Sequence, residues 1–160
     1  MRNKVMTGNL NWAPIISGIT SSSGETSFAP TTPTTISGMS YTFTPDYHGM
    51  ALIYCQVHLE GNGVCTMELS IDVSPTPAQP WGTGKATQVD NTASSDRSAV
   101  CFAAGHLLRG EEYTISAQLE RMSGIQSVDI YAATSQIGHV FVGSSPHRLD
   151  NDGTQLPSYR

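Results

Sequence analysis

The chain has 160 residues, a formal net charge of −5 and charged side chains at only 13% of positions. That length supports one domain with a substantial core rather than two, and the sparse, slightly acidic charge gives no basic field for nucleic acid. No apolar run approaches the roughly 20 residues of a membrane span, and the polar residues after Met1, Arg2 and Lys4 do not form a signal-peptide core, so the expectation is a chain made in the cytoplasm and not exported through a signal sequence.

Residues 1–37 are dense in Ser, Thr and Pro and show no sustained periodicity, which predicts an extended N-terminal arm. The same stretch carries Trp12, Ile15, Ile16, Ile19 and Phe28. Large apolar groups on such a segment predict docking onto another surface, with Trp12, Ile15, Ile16 and Phe28 as the docking residues. Strand patterns begin at Tyr41–Phe43. Residues 51–59 and 64–73 then alternate apolar and polar positions around a turn at Gly61, Asn62 and Gly63. Centring the turn on Asn62 predicts a β-hairpin with opposed pairs Leu59/Cys65, Val57/Met67, Cys55/Leu69 and Ile53/Ile71.

A loop over 74–95 follows, with Pro75, Pro77, Pro80 and Trp81. An aromatic on a Pro/Gly-rich loop either packs on the sheet edge or stacks on a sugar ring, so Trp81 is the candidate ligand-binding residue. Strand signals resume at 98–104, turn chemistry occupies 107–112, and the next strand places Tyr113, Ile115, Ala117 and Leu119 on one face. Further strands are expected at 126–133 and 138–143, ahead of a polar C-terminal tail. Short strands separated by turns, without an amphipathic helix, predict an all-β antiparallel sandwich or jelly roll.

The residues that commonly carry chemistry do not group. His48, His58, His106, His139 and His147 form no metal-binding spacing, and the three cysteines form no CxxC pair. In the hairpin register Cys55 and Cys65 are not disulfide partners, so the cysteines are read as buried free thiols. There is no GxSxG elbow, Walker loop or GxGxxG fingerprint. Leu149–Gly153 resembles the start of a calcium loop but lacks the closing Glu, so Asp150 and Asp152 are read as turn residues. No catalytic residue, metal or cofactor is expected.

The segment from Leu107 to Ile115, with its Leu-x-x-Gly-Glu turn, resembles the globular heads of complement-type and tumour-necrosis-factor-type proteins. So does the Gly-and-aromatic strand over 135–143, and the opening over 41–49 is similar to theirs. The resemblance implies a TNF-like jelly roll that assembles as a homotrimer without catalytic residues, a head also found on bacteriophage particles as decoration, head-fibre and tail-tip proteins. The expected organisation is an arm over 1–37, a jelly-roll domain over 38–144 and a tail over 145–160. The expected function is a non-enzymatic virion structural protein made in the host cytoplasm, attached to the major capsid protein or another virion protein through its arm. A module recognising a host-surface glycan or receptor is the alternative. Neither nucleic acid nor membrane insertion is expected.

Overall fold

The computed structural model describes residues 15–77, 84–85, 89–91 and 96–143. Alternating sequence patterns become strands throughout, because a strand with one apolar face is stable only when that face is covered. Eleven strands are formed among the described residues: β1 (Ile15–Ser21), β2 (Glu25–Phe28), β3 (Thr34–Phe43), β4 (Gly49–Gly61), β5 (Cys65–Ser74), β6 (Gly84–Lys85), β7 (Val89–Asn91), β8 (Asp96–Leu107), β9 (Tyr113–Gly124), β10 (Val128–Ile130) and β11 (Gln136–Gly143). No described helix is long and apolar enough to cross a membrane.

The strands form two antiparallel sheets. In the first, β4 is central, with β8 along one edge and β11 and β10 successively along the other; β1 extends β11, and β2 extends β10. In the second, β9 lies between β3 and β5, and β5 carries the short β6 and β7 on its far side. The chain changes sheets from β2 to β3, β3 to β4, β4 to β5, β7 to β8, β8 to β9 and β9 to β10. This is the jelly-roll sandwich expected from the sequence.

Between the sheets lies one apolar core. From the first sheet it receives Ile53, Cys55, Val57, Leu59, Cys101, Leu107, Ile137 and Phe141, and from the second Ile36, Met39, Met67, Leu69, Tyr113, Ile115 and Leu119. Tyr113 keeps its hydroxyl satisfied in this setting by accepting from Leu108 N and donating to Glu111.

Two sequence expectations are corrected. Strands β4 and β5 alternate as predicted, and every inward residue assigned to them is buried, but they do not form a hairpin. Strand β4 pairs with β8, β10 and β11, whereas β5 pairs with β6, β7 and β9 in the other sheet. The predicted partners therefore belong to opposite walls of the core, and Gly61–Val64 is an arch between sheets. Alternation specifies which face is buried but not which strand lies alongside. The arm expectation is corrected as well. Residues 15–21 and 25–28 form β1 and β2 on the first sheet, and β3 begins at Thr34, so the sandwich starts well before residue 38. Composition alone concealed this, because Ser and Thr serve edge strands as readily as loops.

The ends of the described sandwich meet at one pole. Ile15 pairs with Val142, Gly143 with Gly49, and Gly49 with Leu107. Gly61, Asp96, Gly124 and Val128 lie at the other pole, since Gly61 pairs with Val128, Glu60 with Asp96, and Cys65 with Gly124.

Candidate functional site

The outward faces of the two sheets differ in chemistry. On the second sheet, β5 presents Thr66, Glu68, Ser70 and Asp72, and β9 presents Thr114, Gln118 and Glu120. This is an ordinary solvated face. On the first sheet, strands β1, β11, β4 and β8 lie side by side, and their register stacks outward residues in rungs. Ile19, Gly138, Tyr54 and Phe102 form one rung; Ser17, Val140, Leu52 and Ala104 form the next. Val142, Met50 and His106 continue it towards the pole where β1 begins, and Gln136, Gln56 and Val100 lie on the other side.

Several of these groups are large, apolar and exposed: Phe102 by 61%, Ile19 by 58%, and Leu52 and Val100 by 49% each. Exposed apolar residues are common singly, but a contiguous exposed patch makes a candidate interaction surface. Strand spacing makes this one about 14 Å wide and about 20 Å long, measured between Cα positions. Its middle is shaped by Gly138. A side chain at Gly138 would collide with the Tyr54 phenol, since an added Cβ would lie 2.6 Å from Oη and 2.7 Å from Cζ. The glycine thus gives the Tyr54 ring its place on the face.

Towards the far pole the same sheet face turns polar. Tyr131 donates to Glu60, and this bond is the main reason its phenol is pushed up to about 12. The His58 ring lies 4.9 Å from that of Tyr131, with Nε2 3.9 Å from Asp96 Oδ1 and Nδ1 3.1 Å from Thr134 Oγ1. Asp129 accepts from Ser27 N at 2.7 Å and Asn62 Nδ2 at 2.9 Å. These bonds, the Ser27 N–H first, hold its carboxyl below the usual range. The cluster ties β2, β4, β10 and the arch together. Among the described residues, no group of three or more His, Cys, Asp or Glu side chains is arranged to hold a metal ion.

Beneath the apolar face lies a buried histidine. His139 is 2% exposed, and its Nδ1 is 2.7 Å from Tyr41 Oη. Its ring stacks on Tyr41 at 5.4 Å and tilts against Phe43 at 4.4 Å. Gly18 of β1 leaves room for it, since a Cβ there would lie 2.8 Å from Cε1. Burial lowers the His139 pKa, and Nε2 has no hydrogen-bond partner among the described residues. Burial also raises the Tyr41 phenol, with a smaller contribution from Tyr54.

The residues singled out in the sequence fare differently. Trp12, Trp81, Asp150 and Asp152 lie outside the described residues. Ile15 and Ile16 belong to β1, paired with Val142 and Phe141. Phe28, on β2, is half-buried and packs against the domain's own core. His58 stands on the polar part of an outer face as expected. Sequence reasoning missed Phe102, Leu52 and Val140. A signal was present: Ala99–Ala104 contains no polar residue, and a strand apolar on both faces has both faces covered.

No family model matches the chain, and neither does any curated protein. Among solved structures it is similar to an Eiger TNF from S. frugiperda, at 15% identity over 89% of this chain and 99% of that one, with a TM-score of 0.48. It is also similar to the tripod (BppUct-A-L) from the baseplate of bacteriophage Tuc2009, at 16% identity over 80% of this chain and 64% of that one, with a TM-score of 0.49. A third similar structure is the globular domain of zebrafish complement 1qA protein, at 12% identity over 81% and 96% of the two chains, with a TM-score of 0.46. The jelly-roll assignment for this chain rests on its strand order and register.

Proposed function

We propose that this protein is a non-enzymatic structural knob of a bacteriophage particle. Three copies pack through the outer face of the first sheet, and residues 1–14 attach the knob to the capsid as a decoration. The observation that carries this reading is the apolar face of β1, β11, β4 and β8, beside a second sheet with a polar outer face. Burying a side chain of the size of Phe102 or Leu52 contributes roughly 1.5–3 kcal/mol, so several per copy stabilise a closed assembly. The jelly-roll resemblance favours three copies.

The polarity of the sandwich suits attachment. Residues 1–14 lead into β1, and residues 144–160 follow β11, at the same pole. The opposite pole, with Val64 and Ile125 exposed, then points away from the particle. The test is light scattering on the full chain, together with co-sedimentation with virions that lack it. A mass three times the 17.1 kDa of one chain and co-sedimentation are expected. Deleting residues 1–14 should preserve that mass and abolish co-sedimentation. A monomer would overturn the knob; decoration by the shortened chain would overturn the attachment.

A further inference from the structure

Two of the three cysteines are brought together by the fold in a way that the predicted hairpin does not anticipate. Cys55 on β4 and Cys101 on β8 are directly opposed in the antiparallel register, both inward-facing and buried. Each thiol therefore has the other as its cross-strand neighbour in the core. All three cysteines are free thiols, and Cys65 lies on the other sheet, where its register partners are Gly124 and Asn91. Directly opposed residues of antiparallel strands have Cα atoms about 4.5 or 5.5 Å apart, depending on the pair type. Both distances fall within the range that a disulfide spans, roughly 4.4–6.8 Å.

We infer that Cys55 and Cys101 form a redox-modification site, an oxidisable cross-strand pair that locks the edge strand β8 to the central strand β4. The oxidant class is a small-molecule disulfide. One cysteine thiolate attacks a sulfur of the reagent, giving a mixed disulfide and releasing one reagent thiolate. The second cysteine thiolate then attacks the protein sulfur of that mixed disulfide, forming the Cys55–Cys101 bond and releasing the second reagent thiolate. The two protons from the cysteines end on the two released thiols, and two electrons pass from the protein to the reagent.

Two properties of the site follow from its surroundings. The neighbouring Cys101 thiol, followed by burial, raises the Cys55 pKa, so its thiol stays protonated at neutral pH and the exchange is slow. Opposed Cβ atoms on paired strands are about 4.5–5.5 Å apart, whereas disulfides prefer about 3.8 Å. Closing the bond draws the strands together, and a strained disulfide is readily reduced. The lock is therefore slow to form, and its strain favours reduction by thiols whenever the core opens enough to admit them. Because β8 carries Phe102 and Val100, closure stiffens the edge of the apolar face without changing its chemistry.

The experiment treats the reduced full chain with hydroxyethyl disulfide at a temperature just below its melting transition. The product is denatured, its remaining thiols are alkylated, and its mass and peptides are mapped. The expected product has lost the mass of two hydrogen atoms, alkylates only at Cys65 and yields a Cys55–Cys101 cross-linked peptide. It should also melt at a higher temperature than the reduced chain, and dithiothreitol should reverse the change. Cys65→Ser should behave like the parent. Three alkylated cysteines after prolonged exposure would overturn the inference, as would a bond involving Cys65 or mixed disulfides that never close. These readouts come from the parent chain, so they do not depend on whether Cys101→Ser folds. They are also independent of how many copies assemble.

Discussion

His139 is a titratable group held where a hydrophobic side chain would ordinarily sit. Its ring fills the space left by Gly18 and packs on Tyr41 and Phe43, and among the described residues only Nδ1 has a polar partner. Protonation would put a charge into that layer, so burial keeps the folded-state pKa below the unfolded value of about 6.5. A lowered folded-state value means that the stabilisation is complete above about pH 6.5 and is lost as pH falls below it towards the folded pKa. Thermal stability should therefore be flat above about pH 7 and decline as pH falls below about 6.5. His139→Phe should flatten that decline while losing the bond to Tyr41. Melting temperatures of both proteins across this range check the claim, and an equally steep decline in the variant would refute it. Loss of the Tyr41 bond should cost about 1 kcal/mol at neutral pH.

At the scale of strands, the bulge in β3 shows how one residue directs an element. The pairing of β3 with β9 shifts register between Thr35 and Ser40, and Gly38 sits within the shift at φ 79°. There the chain passes close to the turn after β1: Ser23 N donates to Ser37 O, and Thr20 Oγ1 donates to Gly38 O. A Cβ on Gly38 would lie 2.7 Å from Ser21 O and 2.8 Å from Ser23 N, both backbone atoms with little freedom to move. Gly38→Ala combines this clash with the left-handed backbone penalty of about 1–2 kcal/mol. A total of about 2–4 kcal/mol is expected, a fall in Tm of about 5–15 °C. Ser37→Ala, whose side chain is exposed, serves as the control and should be nearly neutral. A Gly38→Ala protein that melts with the parent would show that the bulge is not fixed by this glycine.

The same scale shows what the sequence could disclose. Alternation in 51–59, 65–73 and 113–119 correctly identified the buried faces, because a period of two leaves only one apolar side to cover. It could not reveal that β4 and β5 face each other across the core, since both arrangements bury the same residues. The opposition of Cys55 and Cys101 remained hidden for the same reason: it depends on the pairing of strands about 46 residues apart, and alternation carries no information about sequence-distant neighbours. The outer apolar face was half-visible. Ala99–Ala104 lacks polar positions, but Leu52 and Val140 acquire meaning only when the register places them in one rung.

For the whole molecule, the apolar face and the interior of the knob make separable demands. Phe102 is opposed to Tyr54 across the β4–β8 pairing but points outward, while its neighbours Cys101 and Ala103 point into the core. A charge at position 102 therefore leaves the sandwich free to fold and places a carboxylate in the centre of the surface proposed to meet its copies. Desolvating a charge without a partner costs far more than one apolar contact returns. Phe102→Asp should give a monomer in light scattering, with the parent's β-sheet circular dichroism and a cooperative melt. Glu68→Gln, on the polar outer face of the other sheet, should leave the oligomeric mass unchanged. A Phe102→Asp protein that keeps the parent's multiple-chain mass would mean that copies meet elsewhere, and the exposed face of β1, β11, β4 and β8 would then need another occupant.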